Sequence, residues 1–275
     1  QKLVFLLTDN QDNRVYDFMP YKYGCYSMQL SQDLRNLTKD GYLLCENDGT
    51  THKYKIARSD LKLSKLVEER DNRVIARIIK RFANMSINEL IKYTYQNYPF
   101  FAINSRMAKD ILSEVEYSHI VKQRPHKEDS SLMTIGYEGL SLEQYIVILL
   151  RNDVRVLCDV RKNAYSQKFG FSKNQLAKAC VGAGILYEHI PNLGIVSEKR
   201  KDLKSQSDYN TLFDDYELTT LVGARNELNH IFMLLQKEKR IALTCFEHNP
   251  LQCHRSRIAK KLMSIPQCNY TLVNL

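Results

Sequence analysis

Between Leu132 and Met263 short apolar runs alternate with amphipathic stretches, and this alternation restricts the fold more than any other feature of the chain. Leu132–Gly136 (LMTIG), Val154–Val160 (VRVLCDV), Ile185–His189 and Arg240–Phe246 (RIALTCF) read as strands, apolar and bounded by turn or polar residues. The segments Ser141–Leu150, Lys173–Gly182, Ala224–Lys237 and Cys253–Met263 read as helices, the second closed by Gly184. Strands buried on both faces and separated by helices predict a parallel sheet covered on each side. The expected fold is α/β, a three-layer Rossmann-like domain over residues 132–275. A winged-helix-like and helical N-terminal domain precedes it.

That N-terminal part is expected to contain a winged-helix-like unit over residues 1–58, a helical connector over 59–117 and a linker over 118–131. Lys2–Thr8 reads as the end of an apolar helix. Ser27 is placed to cap a helix with apolar Leu30, Leu34 and Leu37, and Gly41 stands where a helix ends. Tyr42–Cys45 and Tyr54–Ala57 flank Asn47-Asp48-Gly49, a hairpin signal. Helix, glycine, strand, turn, strand is the order of a winged helix. The segment from Tyr16 to Leu34 also resembles a helical module found ahead of several domains of unknown function, with Cys25 where that pattern has proline. In such a unit Gln29, Gln32, Arg35, Asn36 and Lys39 would face bases and phosphates, with Lys53 and Lys55 on the wing. Dimerisation or scaffolding is the competing use. Further on, Ser59–Met107 is amphipathic, Ser86-x-x-Glu89 has capping-box spacing, and Tyr93, Tyr95, Tyr98, Phe100 and Phe101 read as a packed aromatic cluster. His119–Ser131 lacks periodicity and contains Pro125, as a linker would.

Ligands of open α/β sheets bind at the carboxyl ends of the strands. Here those ends carry Gly136-Tyr137-Glu138, Asp159-Val160-Arg161, Glu188-His189 and Cys245-Phe246-Glu247, followed by Cys253-His254-Arg255. The ordered motifs T-I-G-Y at Thr134, D-V-R at Asp159, G-F-S at Gly170, H-x-P-x-L-G at His189 and C-x-E-x-x-P-x-x-C-H-R at Cys245 resemble the DUF488 family across Thr134–Leu262. Asn163–Lys168 departs from that pattern, where relatives tend to have proline and arginine. The resemblance implies a fold and a site; the family carries no established reaction.

Three chemistries are open to these residues. Cys245 or Cys253 could act as a thiolate favoured by a helix dipole and Arg255. A sulfurtransferase or phosphatase loop, however, needs arginine about six positions after its cysteine, and Leu251 stands there. Cys245-x2-His248-x4-Cys253-His254 offers zinc ligands, but consecutive Cys253 and His254 are awkward partners for one ion, so neither metal nor cofactor is expected. The favoured reading makes Asp159 and Glu247 acid and base, with Arg161 and Arg255 holding an anion, and Tyr137, Lys168, Tyr187, His189 and His254 around the ligand. Against it stands a buried salt-bridge network of Asp159, Arg161, Glu247 and Arg255.

Seven cysteines at irregular spacing argue for reduced thiols in a cytoplasmic protein. No apolar run is long enough for a membrane, and no signal segment follows Gln1. The net charge of +9 favours a polyanion. The expected partners are therefore nucleic acid and a small anionic ligand or nucleotide. The expected function is processing of a base or nucleotide; the alternative is a non-catalytic DNA-binding regulator whose α/β domain senses a small anion.

Overall fold

A computed structural model describes residues 1–47, 52–58, 63–266 and 270–275, and divides them into two units, Gln1–Gln123 and Arg124–Leu275. The expected Asp48-Gly49 turn, the expected helix start at Ser59–Leu61, and Cys268 lie outside the described residues.

The first unit opens with α1 (Lys2–Asp9), then a short hairpin of β1 (Met19–Tyr21) and β2 (Gly24–Tyr26). Sequence reading missed this hairpin because its connecting residues, Lys22 and Tyr23, are not turn formers. Helix α2 (Met28–Lys39) begins as the spacing predicts: the Leu30 amide donates to the Ser27 hydroxyl at 3.2 Å. Strands β3 (Leu43–Asn47) and β4 (His52–Ile56) form a separate two-stranded antiparallel sheet. Helix α3 (Glu69–Phe82) starts later than the connector was expected to; Leu63 and Leu66 are exposed, and Glu69 and Asp71 instead occupy the dipole-favoured first turn. Helix α4 (Ile87–Asn97) carries the Ser86–Glu89 capping box. After α5 (Ala108–Ile111), α6 (Glu114–Gln123) runs through residues 119–123. That corrects the linker reading: Ile120 is buried, and one apolar anchor suffices to hold the polar segment helical.

Val74, Ile78 and Phe82 of α3 share a core with Phe5, Leu6 and Leu30, so the connector packs into the same unit as α1 and α2. The aromatic cluster is packing, as expected: Phe5 meets Tyr98 and Phe101 edge-on, each at 4.8 Å.

The second unit contains β5 (Ser131–Gly136), α7 (Leu142–Arg151), β6 (Val156–Asp159), α8 (Lys173–Gly182), β7 (Leu186–His189), α9 (Gln206–Tyr216), α10 (Arg225–Glu238), β8 (Arg240–Cys245), α11 (Arg255–Met263) and β9 (Thr271–Asn274). The strands form one parallel sheet in the order β7-β6-β8-β5-β9. The three-layer α/β expectation holds. Helix α9 and strand β9 are additions to it.

Period-two alternation sends Leu132, Val156, Cys158, Ile241 and Leu243 to one face, where they pack against Phe213 and Tyr216 of α9, Ile231 and Leu235 of α10, and Ile258 and Leu262 of α11. On the other face α7 buries Leu142, Tyr145, Ile146 and Leu149, at i, i+3, i+4 and i+7, and the Tyr145 hydroxyl donates to Thr244 Oγ1 at 2.7 Å. Ser141 and Gln144 close a capping box at the start of α7. Ser141→Ala is therefore expected to lower stability by about 1 kcal/mol in urea denaturation.

The order of the sheet positions the site. Strand β8 lies between β5 and β6, which lead into α7 and α8 on one face, whereas β8 leads into α11 on the other. Chains leaving neighbouring strands in opposite directions open a crevice at the carboxyl end of β8. Cys245 is the last residue of that strand.

Candidate functional site

Two glycines set how closely the loops close over the strand ends. A Cβ on Gly136 would lie 1.8 Å from the Glu247 carbonyl oxygen, and one on Gly194 would lie 1.9 Å from the Lys162 amide nitrogen. Only glycine lets these backbones touch.

The D-V-R strand end is a frame. Asp159 is fully buried and accepts from Arg161 twice, Nε to Oδ1 at 2.8 Å and Nη2 to Oδ2 at 2.5 Å, and from the Tyr187 hydroxyl at 2.7 Å. Arg161 donates further through Nη1 to the Tyr137 hydroxyl at 2.8 Å and to the Phe171 carbonyl at 2.9 Å. Tyr137 stacks on Phe171 at 4.3 Å. Burial and the neighbouring Asp159 carboxylate push the Tyr187 hydroxyl well above its ordinary range, keeping it a neutral donor. This is the salt-bridge network weighed as the competing reading for Asp159 and Arg161: both are buried, and their polar atoms meet each other, Tyr187, Tyr137 and Phe171.

Arg255 is also a fastener. It is almost fully buried and donates Nη1 to the Glu247 carbonyl at 2.5 Å and Nη2 to the His248 carbonyl at 3.0 Å. Its guanidinium holds the loop after β8, and the anion-binding role expected for it gives way to that. His189 Nε2 meets the Arg161 carbonyl at 2.9 Å, and Lys168 Nζ donates to the Tyr137 carbonyl at 3.1 Å. Burial lowers the Lys168 ammonium below its ordinary range.

A different group gathers at the tip of β8. The Sγ atoms of Cys245 and Cys253 and a ring nitrogen of His254 lie within 4.8 Å of one another, all buried. Cys245 Sγ stands 3.8 Å from His254 Nδ1 and 3.5 Å from Glu247 Oε2. His254 Nε2 meets the Val160 carbonyl at 3.0 Å, joining the C-H-R segment to the D-V-R segment. The Cys245 thiol is lowered to about 7, chiefly by the hydrogen bond from Cys253, with Arg200, Arg255 and the Phe246 amide adding to it against the cost of burial. Cys253 moves the opposite way, to about 12, through burial and its neighbour Cys245. Glu247 is ion-paired with Arg200. Nothing in sequence spacing signalled Arg200, which sits in the basic run Lys199–Lys201 far from Glu247.

Beside this group the loops after β6 and β7 and helix α9 enclose a cavity of about 190 Å³, lined by Lys162, Asn192, Gly194, Lys199, Asp215 and Tyr216 among others. Tyr216 also packs edge-on against His254, with ring centres 5.7 Å apart. The volume suits a small ligand of a few heavy atoms.

In the first unit the expected reading residues share α2 and the adjacent hairpin. Gln29 donates to Asp33 at 2.9 Å, Gln32 to Asn36 at 2.9 Å, and Arg35 to Gln32 at 2.7 Å. Lys39, Lys53 and Lys55 are exposed, with Lys55 paired to Glu46. The sequence reading overlooked Arg70, Arg73 and Arg77, which with Asn10 and Val74 line a hollow of about 590 Å³ on α3.

A parallel five-stranded sheet between two helical layers, with a thiol–imidazole group at its switch point, defines a Rossmann-like α/β domain of polar rim. Residues 141–262 match the family model described as Domain of unknown function DUF488, so the C-terminal unit carries a DUF488 domain. The match includes Asp159, Arg161, Cys245, Glu247, Cys253, His254 and Arg255. Among curated proteins and among solved structures nothing matches the chain. No helix of the described residues is long and apolar enough to cross a membrane.

Proposed function

We propose that this is a nucleic-acid-binding regulator, with α2 and the β3–β4 hairpin acting as a winged-helix-like contact surface and the DUF488 domain taking a small anionic ligand. The observation that carries it is the hairpin itself. Among the described residues it pairs with no other strand, and nearly every residue of β3 and β4 is exposed, including Leu44, Lys53, Tyr54, Lys55 and Ile56. Two strands with so little apolar burial gain little from the core, so their sequence answers to something outside it. Their basic and aromatic side chains beside Arg35 and Lys39 suit a phosphate backbone. The arginines of α3 and the net charge of +9 favour the same class of partner.

Base or nucleotide processing is the weaker reading, because Asp159 is enclosed by its own partners and Glu247 is held by Arg200. The cavity between Lys162 and Lys199 fits ligand sensing better than acid–base catalysis.

Fluorescence anisotropy with labelled duplex and single-stranded DNA and with RNA, across a salt series, tests the proposal. Binding should weaken steeply with salt, and Lys53→Ala should reduce the salt slope by about one. Absence of salt-dependent binding to all the probes would overturn it; concentration-dependent dimerisation lost in Leu44→Glu would assign the hairpin to a protein partner instead.

A further inference from the structure

We propose that Cys245, Cys253 and His254 form a three-ligand zinc site in the DUF488 domain. The case is geometric and independent of nucleic-acid binding. Zinc in protein sites binds sulfur at about 2.3 Å and imidazole nitrogen or carboxylate oxygen at about 2.0–2.2 Å, tetrahedrally, so neighbouring S and N or O ligands stand about 3.6 Å apart. Cys245 Sγ is 3.8 Å from His254 Nδ1 and 3.5 Å from Glu247 Oε2. The first is an edge of such a tetrahedron, Cys253 Sγ lies within 4.8 Å of both of its atoms, and Glu247 stands beside Cys245 outside that group.

Donor chemistry agrees. His254 Nε2 faces the Val160 carbonyl, which only accepts, so the ring proton sits on Nε2 and Nδ1 presents its lone pair to the cluster. Glu247 accepts from the Cys245 thiol at 3.5 Å and is itself ion-paired with Arg200. Two thiolates and an imidazole select zinc over magnesium or calcium.

The difficulty of consecutive ligands is resolved by the backbone. Cys253 is extended, with φ −135° and ψ 133°, and His254 is helical, with φ −61° and ψ −21°. The conformational change between them turns both side chains towards Cys245. Cys245, the last residue of β8, supplies the third ligand, so the ion would tie strand β8 to the start of α11.

The test uses the full chain, purified without chelator and kept under a non-thiol reductant. Elemental analysis after zinc loading and dialysis should find a single zinc ion per chain, and cobalt(II) added to metal-free protein should give thiolate-to-cobalt charge-transfer absorption. Cys253→Ser and His254→Gln should lower zinc affinity by roughly 100-fold or more, while Cys45→Ser leaves it unchanged. Should a variant fail to fold by circular dichroism, the cobalt spectrum of the unaltered chain decides. Absence of charge-transfer absorption, or zinc binding equal in folded Cys253→Ser and the unaltered chain, overturns the site. Loss of zinc binding with salt-dependent nucleic-acid binding intact would leave the functional proposal standing, and the converse would leave this one.

Discussion

Asp159→Asn is expected to lower stability by about 3–5 kcal/mol in urea unfolding, the cost of leaving a buried cation unpaired. Arg161 is almost wholly enclosed, and its charge is balanced by the one carboxylate that it meets through two nitrogens. Asparagine keeps the shape but removes the charge, and its amide hydrogens face the donors of Arg161 and Tyr187. With native stabilities of about 5–15 kcal/mol, such a loss brings a domain close to unfolding at ambient temperature. The double substitution Asp159→Asn with Arg161→Met should recover part of the loss, because no uncompensated charge remains. A change below about 1 kcal/mol in the single variant would mean that the pair does not hold the strand end. It would reopen the acid–base reading of Asp159.

Gly136→Ala is expected to do comparable damage by another route. The added Cβ would meet the Glu247 carbonyl at 1.8 Å, a backbone atom that no rotamer change can move aside. Overpacking typically costs about 1–3 kcal/mol, and a backbone collision belongs at or above the top of that range. The same carbonyl accepts from Arg255, so displacing it also loosens the fastening of the loop that carries Glu247 and leads to Cys253. Gly223→Ala is the control: nothing lies within 4 Å of its Cβ position in a helical turn, so its unfolding midpoint should be unchanged or slightly raised. Equal midpoints for the two alanine variants would mean that the loop yields without cost.

The α/β order was legible because β5, β6 and β8 are buried throughout and α7 shows its period from Ser141 onwards. Helix α9 was not, since its capping box uses Asp208 in place of glutamate and a basic run precedes it. Strand β9 is four residues long and only partly buried, which leaves little pattern to read. At the site, the residue types were legible and their partners were not. Sequence places Asp159, Arg161 and Arg255 at the rim, but only tertiary packing turns Arg161 inward to Asp159 and aims Arg255 at two carbonyls. The awkwardness of consecutive Cys253 and His254 rested on treating both as part of one regular element, and the chain changes conformation between them.

Because Asp159, Arg161, Tyr187 and Arg255 answer one another and the backbone, the architecture draws little on the exposed side chains of Tyr165, Gln167 and Lys199. The DUF488 scaffold thus separates what keeps it standing from what it admits. Under the proposed function, exchanges in those outer segments would change which small molecule is admitted while the inner girders stay as they are.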